Sequence, residues 1–135
     1  MTSVYYPQQV IVMRKDLKMR RGKEIAQACH ASTGIVLQNL FKIIIYKILF
    51  KIGVKVNNPW YKWINGSFTK ITVYVNSESE LLAVYEKARA VKYPCVLITD
   101  KGLTEFNGVP TNTCIAIGPV YKYDLVGITD QLPLL

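Results

Sequence analysis

The alternation of short β-branched runs with stretches of helical period constrains this 135-residue chain more than any other feature. Val10-Ile11-Val12-Met13 leads through a basic turn, Arg14 to Arg21, into a helix that opens around Gly22-Lys23-Glu24. Thr69–Val75 alternates β-branched and aromatic side chains, as strands do. Ser77-Glu78-Ser79-Glu80 fits a capping box, in which the serine hydroxyl takes one orphan N–H and the glutamate reaches back to another. The helix after it carries Leu81, Leu82, Val84, Tyr85 and Ala88 and stops before Pro94. Cys95–Thr99 is a continuous apolar run, expected of a strand covered on both faces, and it ends at Asp100. Asn107-Gly108 signals a tight turn. Thr113–Ile117 reads as the last strand, stopped by Gly118-Pro119 and followed by a short terminal helix. Strands interleaved with helices predict a single three-layer α/β domain, a mixed sheet flanked by helices.

At this length one domain can bury a real core, and with half the residues hydrophobic the chain is not expected to be disordered. Seventeen Lys and Arg against nine Asp and Glu give a net charge of +8, which points to nucleic acid or an anionic membrane as partner. The charge is uneven. Between Arg14 and Lys23 stand six basic residues and one acid, Asp16. Such a run is either a solvated turn or a phosphate-gripping one. Cys29, Cys95 and Cys114 are far apart, and neither a CxxC pair nor a second histidine accompanies them. Buried thiols in a reducing cytoplasm are therefore expected, with no disulfide framework and no metal site. Met1–Pro7 has neither a charged start nor a long apolar stretch, so no signal peptide is expected.

Residues 35–64 are unusual. Phe41 to Ile52 is strongly apolar but interrupted by Lys42, Lys47 and Lys51. A membrane span needs about twenty nearly uncharged residues, so this is not one. The segment is expected to extend the first helix and pack on the sheet or on a second subunit. A membrane-surface contact through residues 40–56 is the less favoured alternative. Asn57-Asn58-Pro59 and Asn65-Gly66-Ser67 are breaks. Trp60, Tyr61 and Trp63 between them are read as core or dimer contacts rather than base-stacking platforms. The stretch from about 40 to 66 is treated as an apolar-basic insert.

Three groups of residues can carry chemistry. On a 3.6-residue period Lys23, Gln27 and His30 share one helix face, while Ile25, Ala28, Cys29 and Val36 share another. A cation, an amide and the only histidine together suit an anionic, hydrogen-bonding ligand, although each alone also reads as an ordinary surface or core-edge residue. Asp100 stands at the carboxyl end of an apolar strand and before Gly102, where α/β sheets place ligand sites. An Asp there can take a proton from water or orient a lysine, and it can equally cap a turn. Thr113 opens the last strand, with a hydroxyl that can bind phosphate or satisfy backbone groups. There is no GxSxG, P-loop or GxGxxG.

Taken together, these residues resemble a known family. Arg14-Lys15-Asp16-Leu17-Lys18-Met19, Gly22-Lys23, Ala26-Gln27 and Cys29-His30-Ala31 are similar to the opening of the type II peptidyl-tRNA hydrolases. Asp100-x-Gly102-x-Thr104, Thr113, Ala116-Ile117-Gly118-Pro119 and Ile128-Thr129 recur in that family in the same order. The resemblance covers residues 8–34 and 67–135. It implies a four-stranded mixed sheet, often in a homodimer, and hydrolysis of the ester joining a peptide to the 3′ ribose of tRNA, in the cytoplasm and with no cofactor. It carries Lys23, Gln27, His30, Asp100, Thr104 and Thr113 over as functional residues. Of these, Lys23, His30, Asp100 and Thr104 are the expected catalytic set. Gln27 and Thr113 would hold substrate, and Lys18, Arg20 and Arg21 would grip acceptor phosphates. Leu103 departs from the pattern, which more often has Arg there, and Lys101 replaces a small residue. The alternative is a basic RNA-binding module without catalysis.

Overall fold

The computed structural model describes residues 6–135, and most of the stretch in which no signal peptide is expected lies outside them. The elements are β1 (Gln8–Arg14), α1 (Arg21–Gln38), α2 (Leu40–Lys51), α3 (Pro59–Ile64), β2 (Lys70–Val75), α4 (Glu78–Ala90), β3 (Cys95–Asp100) and β4 (Thr111–Val120), then a 3-10 turn at Lys122–Leu125. The four strands form one mixed sheet in the order β2-β1-β4-β3. β1 runs parallel to β2 and antiparallel to β4, and β3 runs antiparallel to β4.

The period of two along each strand divides the core. Val10 and Val12 of β1 join Ile115 and Ile117 of β4 against Leu81, Val84 and Ala88 of α4. Ile11, Met13, Cys114 and Ala116 face the other way, against Ala31 and Ile35 of α1, Ile43 of α2 and Trp60 of α3. The sheet thus lies between two helical layers, and its central strands are buried on both faces. Ser77 caps α4 as expected: its hydroxyl accepts from the Glu80 N–H at 3.1 Å, while the Glu80 carboxylate accepts from the Asn76 N–H at 2.7 Å.

Four features differ from expectation or lie beyond it. The first helix does not extend into the apolar segment. It ends at Gln38, and α2 leaves Asn39 at 77° to α1. The Asn39 side-chain amide donates to the Ile35 carbonyl at 2.9 Å, taking up an acceptor at the helix end. No single helix among the described residues is long and apolar enough to cross a membrane. The second, on which the apolar run is silent, is that β3 is an edge strand. Its apolar run packs on α1 and α4 but leaves Thr99 exposed. Third, Gly118-Pro119 does not stop β4, which runs on to Val120 through a register shift opposite β1. Gly118 has φ +104°, and a Cβ there would meet the Gln8 carbonyl at 2.5 Å, so only glycine fits the close approach. Finally, the terminal helix is a single 3-10 turn, after which Tyr74 N–H donates to the Pro133 carbonyl and Leu135 N–H to that of Thr72, both at 3.1 Å. The chain end thereby covers the outer edge of β2. Trp60 and Trp63 are buried, as read from the sequence, and Trp63 donates its indole N–H to the Thr69 carbonyl at 2.8 Å.

Candidate active site

The carboxyl end of β3, the start of β4 and the first turns of α1 meet at one end of the sheet. Gln27 sits on the covered face of α1 and is 1% exposed. Its Oε1 accepts from the Thr113 hydroxyl at 2.6 Å, and its amide nitrogen donates to Asp100 Oδ1 at 3.2 Å. The orientation has no alternative. An ionised carboxylate only accepts, so the NH₂ must face Asp100 and the oxygen must face Thr113. Cys114 adds a thiol donor to the Gln27 carbonyl at 3.4 Å, which ties this turn of α1 to β4.

Lys23, one helical turn earlier, reaches the same carboxylate. Its Nζ donates to Asp100 Oδ1 at 3.0 Å and to Thr104 Oγ1 at 2.9 Å. An ammonium has three donors, so one remains for a ligand. Asp100 Oδ2 accepts from the Gly102 N–H at 2.8 Å. Gly102 has φ +80°, and a Cβ would collide with the Val109 carbonyl and approach the Val109 nitrogen to 2.7 Å. Glycine is therefore required for the loop that delivers Thr104. Asn107 and Gly108 also have positive φ, and the Val109 N–H closes their turn on Phe106 at 2.9 Å, as the Asn-Gly pair predicts.

Burial pushes the Asp100 carboxyl up, but hydrogen bonds from Lys23, Gly102 and Gln27, with the charge of Lys23, outweigh it. Its pKa therefore lies below the ordinary carboxylate value, and Asp100 is ionised at neutral pH. Lys23, Asp100 and Thr104 open onto a cleft of about 580 Å³ that is also lined by His30, Lys101 and Leu103. The cleft joins ionic and polar groups on its floor to apolar strand side chains, Leu97 and Ile98, on its wall.

Five sequence-predicted residues, Lys23, Gln27, Asp100, Thr104 and Thr113, thus form one hydrogen-bonded chain. His30 lines the cleft but is exposed and makes no side-chain hydrogen bond among the described residues. Lys18, Arg20 and Arg21 are exposed in the turn that leads into α1 and at its first residue, and Arg20 is only loosely paired with Glu105, at 3.8 Å. Not all of the basic turn is free: Arg14 is held by Asp16 at 2.7 Å and by the Asn112 carbonyl at 3.0 Å. That pairing, through its side-chain hydrogen bonds, holds the Asp16 carboxyl below its ordinary range. Sequence reasoning misses the contributions of the Gly102 N–H and of Cys114. The Asp-x-Gly spacing is a signal for the first, because Asp side chains commonly accept from the N–H two residues on. Of the cysteines, only Cys114 is buried, and burial pushes its thiol up to about 12. Cys29 is exposed, against expectation, because its side of α1 looks into an open groove rather than the core.

A family model described as peptidyl-tRNA hydrolase PTH2 matches residues 7–135, a span that encloses the apolar segment as well as the two blocks of resemblance. Proteins named peptidyl-tRNA hydrolase are similar over nearly the whole chain. That of Methanopyrus kandleri is 35% identical over 127 residues, covering 94% of this chain and 97% of its own. That of Methanocaldococcus jannaschii is 36% identical over 128 residues, covering 93% and 97%. That of Sulfurisphaera tokodaii is 38% identical over 130 residues, covering 93% and 96%. With nearly its whole length matched in this way, the chain belongs to the peptidyl-tRNA hydrolase PTH2 family.

Proposed function

We propose that this protein hydrolyses the ester between a peptide, or an N-blocked aminoacyl group, and the 3′ ribose of tRNA, with the Lys23–Asp100 pair at the reacting centre. The observation that carries the reading is the Lys23 ammonium, held by Asp100 and Thr104 on the cleft floor with one N–H unused. Attack of water on the ester carbonyl builds charge on its oxygen. A preorganised ammonium, shielded at the cleft floor, stabilises that charge. Asp100 is ionised and already accepts three hydrogen bonds, which leaves one lone-pair direction to orient a water. Its lowered pKa makes it a weak base, so orientation rather than full proton abstraction is its role. The carbon–oxygen bond to the ribose then breaks, and the proton lost by the water ends on the ribose oxygen. Thr113 and Gln27 are positioning residues acting through Asp100. His30, unpaired on the cleft wall, contacts the substrate.

Lys18, Arg20 and Arg21 hold the acceptor phosphates. Such contacts are salt-sensitive and blind to sequence, which suits an enzyme that accepts many tRNAs. A cytoplasmic site of action belongs to the proposal and is supported by three free cysteines. A homodimer belongs to it as well. The surface a second copy would cover is the apolar groove between α1 and the β1–β2 edge, lined by Ile25, Ala28, Cys29, Val36 and Phe68. Sedimentation velocity checks it.

The test is release of a labelled acetyl-aminoacyl group from tRNA. Asp100→Asn and Lys23→Ala are each expected to lower kcat by about a hundredfold or more, with tRNA binding retained. Salt-dependent tRNA binding with no turnover by the wild type would instead establish the non-catalytic RNA module.

A further inference from the structure

α2 has two apolar faces, and only one of them is used. Ile43 is buried, and Tyr46 and Leu49 lie toward the side that meets α3 and the sheet. On the opposite side Phe41, Ile44, Ile45, Ile48 and Ile52 repeat at helical spacing and form a continuous stripe. All five are exposed, Phe41 by 81% and Ile52 by 68%. A stripe of this kind on a small protein marks an interaction surface rather than chance exposure.

The charges around it select the partner. Lys47 and Lys51 border the stripe on one side, and Lys42 lies beyond the other, its ammonium 5.4 Å from the Trp60 ring centre. Lys55 follows the helix. From Ile25 to Ser77 the chain has six lysines and no acid. A second copy docking through α2 would set these lysines against their own equivalents with no acid in the segment to pair them, an unfavourable juxtaposition. Nucleic acid would take the lysines but leave the aliphatic stripe uncovered. A surface that is both anionic and apolar beneath satisfies both features. Lysine stems can lie along the acyl boundary while their ammonium groups stay among the headgroups.

We propose that α2 is an interfacial helix that docks this protein on an anionic lipid surface, with Phe41, Ile45 and Ile48 inserted and Lys42, Lys47 and Lys51 at headgroup level. The geometry leaves the hydrolytic site free. Lys23 stands near the start of α1, and α2 begins after its end, about 22 Å away along the helix. The 77° bend at Asn39 lets α2 lie flat while α1 runs away from the surface.

The experiment uses the full chain with vesicles of phosphatidylglycerol and phosphatidylcholine in equal parts, and of phosphatidylcholine alone. Co-sedimentation is measured for wild type and for the triple variant Phe41→Ser, Ile45→Ser, Ile48→Ser. These side chains face solvent, so the variant is expected to keep the wild-type circular dichroism and the wild-type rate of acyl-group release from tRNA. The expected result is binding to the anionic vesicles only, weakened about tenfold or more in the variant. No binding of the wild type to anionic vesicles overturns the proposal. So does equal binding by the variant, which would assign attachment to net charge alone. Self-association of the wild type that the variant abolishes, without vesicle binding, overturns it in favour of a second copy. If the hydrolytic reading failed, the wild type would release no acyl group whatever its vesicle binding, so the two failures are distinguishable.

Discussion

Asp100 is the residue on which the proposed chemistry turns, and its environment makes a sharp statement about pH. Its carboxyl is lowered in the folded state, so its stabilising contribution is fully present above the ordinary carboxylate value, near 4. That contribution is lost only as the pH falls through the lower folded value. Carbon-13 NMR titration of the Asp carboxyls is expected to show a midpoint for Asp100 below about 4. A midpoint above about 5 would mean that burial dominates and that Asp100 is a poised base after all. Single residues are also where the sequence is most legible. Lys23 and Gln27 share a helix face and Asp100 ends an apolar strand, the family resemblance adds Thr104 and Thr113, and the five lie in one network. What periodicity does not supply is which side of the helix is covered. Ile25 and Cys29 share an apolar face with Ala28 and Val36, yet Ile25 is 58% exposed, because the sheet packs against the Gln27, Ala31 and Ile35 side instead. A buried glutamine is invisible to a hydrophobic pattern, since its burial is compensated only by partners far away in sequence.

At the scale of elements, the caps are readable, as are the breaks on either side of α3, but the break between α1 and α2 is not. Ser77 is a local signal and acts as one. Ser77→Ala is expected to destabilise the fold by about 1 kcal/mol, seen as a lower midpoint in urea, without changing ester hydrolysis. An unchanged midpoint would mean that packing of Leu81, Val84 and Ala88 alone sets the start of α4. Asn58, by the same logic, accepts from the Trp60 N–H at 2.8 Å and starts α3. Asn39 gives little warning of a break, because asparagine is only mildly unfavourable in a helix and the apolar period continues across it. The edge position of β3 is hidden too. A strand covered by helices on both faces reads as continuously apolar whether or not it has a neighbour on each side. At Gly118-Pro119, turn chemistry reads as an end where the sheet uses it as an irregularity within β4.

Across the whole molecule, binding of tRNA should follow charge rather than sequence. Leu103 tests this, because it stands 82% exposed on the cleft rim where the family more often has arginine. Leu103→Arg is expected to tighten tRNA binding and to steepen the slope of log affinity against log salt by about 1. An unaltered slope would remove this rim from the phosphate path. The distribution of charge has a further consequence. The six lysines of the acid-free tract lie on α2, α3, β2 and the turn between α2 and α3, whereas Glu78, Glu80 and Glu86 lie on α4, and Asp124 and Asp130 near the chain end. The sheet therefore separates a strongly positive side from one that is closer to balanced. A body built this way experiences a torque as well as an attraction near a charged surface. It turns before it touches, and arrives with the same side foremost each time.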